Sequence, residues 1–187
     1  MVLEIDGEEK SFDKDYVHDT LTELYSNDIL ETKMTDAIAN TYSGSTGLSA
    51  SVLKEEGLDN LVQLDNFALK FNEAVGGTDE NNYGGTAIKE IFEAYNNRSE
   101  EDGGPVSKED QVDQFVQDTK YIDTDNAEFS RYSEALKEGR ISGEEYLQVI
   151  KEINTEGQIA SMTGFFSEEG AKLGLSEEEI SDMQNYA

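Results

Sequence analysis

Carboxylates are the only side chains numerous enough here to suggest chemistry: 42 Asp and Glu stand against one His and no Cys. Without cysteine there is no thiolate nucleophile, no disulfide and no Cys-ligated metal. A nucleophilic triad would have to be built around His18, and no Gly-x-Ser-x-Gly elbow occurs. His18, beside Val17, reads instead as a helix-surface or partly buried residue. The glycine pairs at 76–77, 84–85 and 103–104 lack the Lys-Ser/Thr ending and preceding strand of a phosphate cradle. Paired carboxylates serve glycoside hydrolysis and divalent-ion chemistry, but 42 acids make some close pair inevitable, so pairing identifies nothing. The most metal-like spacing is Asp123-Thr124-Asp125 with Glu134 eleven residues after Asp123, three hard oxygen donors of the kind Ca²⁺ takes. A helix N-terminal cap is the competing role for the two aspartates. The expectation is a non-enzymatic protein with no catalytic residues and no cofactor, binding divalent cations only weakly and diffusely.

The acidity has no tail to live in. Residues 1–100 hold 21 acids against 7 bases, residues 101–187 hold the same, and the total is −28. A surface so uniformly negative repels itself, other polyanions and anionic lipid, and direct binding to nucleic acid phosphates is disfavoured. A basic partner, bound cations or a duty to keep DNA away would offset that repulsion; a saline source is a separate explanation. Eight Phe and nine Tyr argue for a folded chain, since disordered acidic chains are poor in aromatics. No apolar run approaches the ~20 residues of a membrane span, and the N-terminus lacks the basic and hydrophobic regions of a signal peptide. A soluble, cytoplasmic or virion-associated protein is expected.

The elements that must carry these groups are mainly α. Residues 2–12 read as a small β-hairpin around Asp6-Gly7. From residue 15 the apolar period is helical: Val17, Leu21, Leu24 and Tyr25; Leu30, Met34, Ala37, Ile38 and Tyr42; Leu61, Leu64, Ala68, Phe71 and Val75; Ala87, Ile88, Ile91, Phe92 and Tyr95. Shorter helices are predicted over Val112–Val116, Phe129–Leu136, Tyr146–Ile153 and Ile180–Tyr186, with Phe165 and Phe166 unassigned. Phe67, Phe71, Phe92 and Tyr95 read as core. Polar loops at 76–85, predicted to be mobile, and 96–106 leave two organisations open: one domain over 1–187, or two lobes split near 76–86 or 96–106.

Four junctions share one local grammar: Gly47-Leu48-Ser49, Gly104-Pro105-Val106-Ser107, Gly139-Arg140-Ile141-Ser142 and Gly174-Leu175-Ser176. Each predicts a helix ending at glycine, an apolar residue, and a serine N-cap opening the next helix. Ser142 with Glu145 and Ser176 with Glu179 make complete capping boxes, stapled by Ile141 to Tyr146 and Leu175 to Ile180. The fold expected is a multi-helix bundle of short helical hairpins. The last three junctions lie 35 and 34 residues apart, but the tetratricopeptide signature is missing.

Residues 139–150, GRISGEEYLQVI, resemble the second half of an EF-hand, and 99–110 do so more loosely. That resemblance implies a calcium-binding helix-loop-helix. The chain departs from it at the ligand positions: Leu136 falls where an oxygen donor belongs, and in the 123–134 frame Glu128 falls where glycine belongs.

Charge and helices together point to an interaction protein that docks on a basic surface, for example by mimicking nucleic acid as phage inhibitors of host enzymes do. Its expected partner-binding residues are Glu100, Glu101 and Asp102 in an acidic loop, with Glu144, Glu145, Glu177 and Glu178 on helix faces. The alternatives are a structural subunit that binds copies of itself, such as a phage virion internal, neck or tail component with a negative DNA-facing surface, and a degenerate EF-hand-like calcium module.

Overall fold

The computed structural model describes residues 2–5, 8–11, 28–78, 81–176 and 178–181. The Asp6-Gly7 turn, the stripe through Val17, Leu21, Leu24 and Tyr25, His18, Glu177 and Tyr186 lie outside them. The described chain is mainly α-helical. Strands β1 (Val2–Ile5) and β2 (Glu8–Ser11) pair antiparallel, Val2 opposite Ser11 and Ile5 opposite Glu8. Helices α1 (Ile29–Thr46), α2 (Ala50–Glu55), α3 (Gly57–Ala74), α4 (Gly84–Asn97), α5 (Gln111–Thr119), α6 (Ala127–Lys137) and α7 (Gly143–Lys172) follow. Residues 178–181 are again helical.

The core forms where the longest apolar stripes meet. On α3, Leu61, Leu64, Phe67, Ala68 and Phe71 are buried; on α4, Ala87, Ile88, Ile91, Phe92, Ala94 and Tyr95 are. The buried face of α4 is broad because α1, α3, α5 and α7 all pack on it. Phe67 holds the centre, its ring edge-on to Phe115 at 5.2 Å and to Phe129 at 6.4 Å, while Phe71 meets Tyr146 at 5.9 Å. Such offset contacts add to the large area each ring removes from water. One continuous cluster of buried side chains runs from Ala39 to Ile153.

The four predicted junctions all turn through glycine in the left-handed region, with φ of +72° at Gly47, +76° at Gly104, +68° at Gly139 and +75° at Gly174. Ser49 caps α2 by accepting from the Val52 N–H at 3.4 Å. Ser142 accepts from the Glu145 N–H at 3.2 Å, and the Glu145 carboxylate accepts from the Ser142 N–H at 2.8 Å. Ser176 and Glu179 repeat that box at 3.3 and 2.9 Å. Ser107 differs: it accepts from the Asp110 N–H at 3.3 Å, but α5 starts only at Gln111, so it closes a lead-in turn. Gly57, at φ +78°, makes a further junction between α2 and α3 without a serine cap.

One predicted feature changes. The short helix over Tyr146–Ile153 is the start of the thirty-residue α7, which also takes in Phe165 and Phe166. No proline interrupts 143–172, and interior glycines weaken a helix by only about 1 kcal/mol each. On either side of residues 79–80, which lie outside the described residues, the glycine-rich loop bonds to the end of α3: the Gly77 N–H reaches the Asn72 carbonyl at 2.7 Å, and the Tyr83 N–H reaches Asn72 Oδ1 at 3.0 Å. Gly84 then packs against the Ala68 backbone, where a Cβ would collide.

Candidate functional site

The most built-up surface feature is an open groove of about 470 Å³ between the end of α4 and the first turns of α7. Its rim comes from a tight segment. Helix α4 stops at Asn97, Ser99 opens a 3-10 turn over Glu100–Asp102, and Gly103 at φ +95° with Gly104 at +76° reverses the chain. The Gly104 N–H closes this turn on the Ser99 carbonyl at 2.7 Å, and the Val106 N–H returns to the Tyr95 carbonyl at 3.1 Å. Arg98 donates to the Asp102 carbonyl, and Ser99 donates to the Asp102 carboxylate. Across the groove, Gly143 begins α7 hard against α4, where a Cβ would stand 2.6 Å from the Glu90 carbonyl oxygen.

This arrangement brings two of the three expected partner-binding clusters together. Asp102 lines the groove on one side, Glu144 and Glu145 on the other, and Glu100 and Glu101 stand exposed on the same turn as Asp102. The carboxylates are unequal. Glu145 is bound to Ser142 by backbone and hydroxyl, which holds it below the ordinary carboxylate range, so its charge is present but its Oε2 is engaged. Glu144 is exposed with its charge toward the groove. Glu178 is exposed beyond the far end of α7, which spans about 45 Å; it belongs to a different surface.

Beside the groove, sharing Lys151 with it, lies a polar cluster that the charge count passes over. Asp118, 8 % exposed, accepts from the Tyr95 hydroxyl at 2.9 Å and from Gln114 Nε2 at 3.0 Å, and faces Lys151 Nζ at 3.3 Å. Burial first, then the adjacent Asp118 carboxylate, holds the Tyr95 phenol well above its ordinary value, so it stays a hydrogen-bond donor. Beside this cluster, Asn154 donates to the Gln117 carbonyl at 2.8 Å and accepts from the Tyr121 N–H at 2.7 Å, securing the end of α5. Among the described residues no buried side-chain nitrogen or oxygen lacks a partner. The local signal for this cluster is the Gln114/Asp118 pair, four apart on one helix face; its links to Tyr95 and Lys151 are tertiary. Arg98 and Lys151 give an acidic rim two internal cations.

The residues read as metal-like sit apart from the groove. Asp123 Oδ1 accepts from the Asp125 N–H at 3.0 Å, shaping the loop before α6. The cap of α6 is Asn126, which accepts from Glu128 and Phe129 at 2.8 and 3.2 Å, not either aspartate. Glu134 pairs with Lys137 at 3.4 Å. Among the described residues no three His, Cys, Asp or Glu side chains are grouped as a metal ion requires. No described helix is long and apolar enough to cross a membrane. No protein family, curated protein or solved structure matches this chain.

Proposed function

We propose that this is a non-enzymatic acidic interaction protein that docks on a basic partner through the rim of the α4–α7 groove, in the manner of a nucleic-acid mimic. In this reading the chain is one bundle of short helical hairpins, with β1 and β2 as a small N-terminal hairpin. The observation that supports it is the approach of Asp102, on the 3-10 turn, to Glu144 and Glu145, at the start of α7, around one groove. Carboxylates on rigid, capped elements imitate a fixed anion pattern better than carboxylates on free loops. The chain's charge of −28 steers a cationic surface toward them, giving fast association that weakens steeply with salt. Arg98 and Lys151 inside the groove give it registry, since a partner's acidic side chains would find them there.

The test is charge reversal on the rim. The chain and a Glu100→Lys/Glu101→Lys/Glu144→Lys variant are immobilised, source lysate is passed over each at low and high salt, and the retained proteins are identified by mass spectrometry. A basic protein held by the parent at low salt, shed at high salt and lost by the variant supports the reading. Equal retention by both chains would overturn it.

A further inference from the structure

The C-terminal half of α7 has an exposed apolar stripe on the side turned away from its own body. In the first half, Tyr146, Ile150, Ile153 and Asn154 are buried against α4, α5 and α6. Continued at 3.6 residues per turn, that inward face carries Gly157, Ala160 and Gly164. Gly157 still touches the body at the Tyr121 carbonyl, whereas nothing lies within 4 Å of a Cβ placed on Gly164. The large apolar residues shift to the nearly opposite face: Ile159, Met162, Phe166 and Leu173, at coiled-coil spacing. Ile159 is 60 % exposed, Met162 37 % and Leu173 76 %, with Phe165 beside them at 60 %.

We propose that this stripe docks the same stripe of a second copy of the chain, antiparallel, as a two-fold pair. Charge selects that occupant. Residues 157–167, GQIASMTGFFS, carry no charge in a chain that is 30 % charged. That stretch offers nothing electrostatic to a basic partner, and it is where two copies at −28 meet with least repulsion. Register selects the direction. The fourth seam position is Glu169, and parallel pairing would set the two Glu169 carboxylates face to face. Antiparallel pairing sets Met162 against Phe166 and Ile159 against the stem of Glu169, whose carboxylate stays with Lys172 at 2.7 Å. The stripe exposes roughly 400–500 Å² of apolar surface per copy, as large as the largest patch on a typical monomer. That is smaller than the ~800 Å² per partner of standard interfaces, so the dimer is weak and forms only as concentration rises. This inference stands apart from the groove reading, because salt acts on the two in opposite senses.

The experiment is sedimentation equilibrium of the full chain over a concentration series at low and high salt. The expected mass rises from 20.8 kDa toward twice that value, and added salt tightens the dimer by screening like charge. Ile159→Lys/Met162→Lys is expected to weaken association at least tenfold while its circular dichroism matches the parent. Because the chain lacks cysteine, single-cysteine variants at 162 and 166 report register: oxidation of the mixed pair gives a 162–166 cross-link in preference to 166–166. A monomer at every concentration and salt would overturn the proposal. So would association that survives the lysine pair, or a stripe whose cysteines resist alkylation in the dilute monomer because another part of the same chain covers them.

Discussion

Helix α7 puts two unlike regions on one continuous element. Up to Asn154 its inward side chains are large and fill the core; from Thr155 the same face carries small residues, and the apolar side chains have moved to the water. Periodicity within either half is ordinary, so each half alone reads as an amphipathic helix. What separates them is phase: the apolar stripe rotates when the helix leaves the body. A helix keeps its backbone hydrogen bonds whatever its faces meet, so α7 continues past the last core residue without a break. The first half fills the core with large side chains, and the helix continues from it into the second.

The sharpest way to break that contrast is to delete a matched side chain from each half. Ile150 is fully buried, and Ile150→Ala is expected to lower stability by about 2–5 kcal/mol through lost burial and the remaining cavity. Ile159→Ala, in dilute protein, is expected to change it by no more than about 0.5 kcal/mol. Urea denaturation of the two variants beside the parent reads both values, and equal losses would mean that the distal stripe is already covered within one chain.

A smaller and opposite-signed pair sharpens the boundary itself. At Gly157 a Cβ would collide with the Tyr121 carbonyl, while at Gly164 it would meet open space. Gly157→Ala is therefore expected to destabilise by about 1–3 kcal/mol, as overpacking does. Gly164→Ala should stabilise by about 0.5–1 kcal/mol, from helix propensity alone. Thermal unfolding midpoints moving in opposite directions would place the end of the body between the two glycines; a shared direction would move it.

The same division explains what was legible in the residues. Leu61, Leu64, Ala68 and Phe71 on α3, and Ile88, Ile91, Phe92 and Tyr95 on α4, announce their buried faces because both helices lie in the body along their length. The glycine and serine junctions are equally readable, since capping is decided within four residues. The extent of α7 was not readable, because its apolar phase shifts at Gly157 and a shift looks like an interruption. Gly57 carries no such signal, because no serine follows it. The acidic rim can be proposed from density at 100–102 and 144–145, but not the polar cluster beside it: Asp118 meets Tyr95 and Lys151 only after α4, α5 and α7 have packed. Density says nothing of the cap that engages Glu145 Oε2.

That cap yields the smallest effect and a second contrast, between the two serine boxes at either end of α7. Ser142 opens α7 next to fully buried Tyr146, so its cap supports the core, whereas Ser176 opens the turn at 178–181 beyond the helix's exposed end. Ser142→Ala is expected to cost about 1 kcal/mol of global stability, and Ser176→Ala to leave the global transition unmoved while fraying the local turn. Both boxes hold their glutamates below the ordinary value of 4.5, chiefly through the serine backbone N–H. A carboxylate with a depressed folded value contributes stability that is fully present above about pH 4.5 and is lost as pH falls through the folded value. Below that point the unfolded chain no longer binds more protons than the folded one. Acid titration of the parent against Glu145→Gln should therefore converge at low pH and separate above 4.5, while Glu179→Gln tracks the parent throughout. If Glu179→Gln shifted the global acid transition as far as Glu145→Gln, the far end of α7 would be coupled to the core, and the division between its halves would fail.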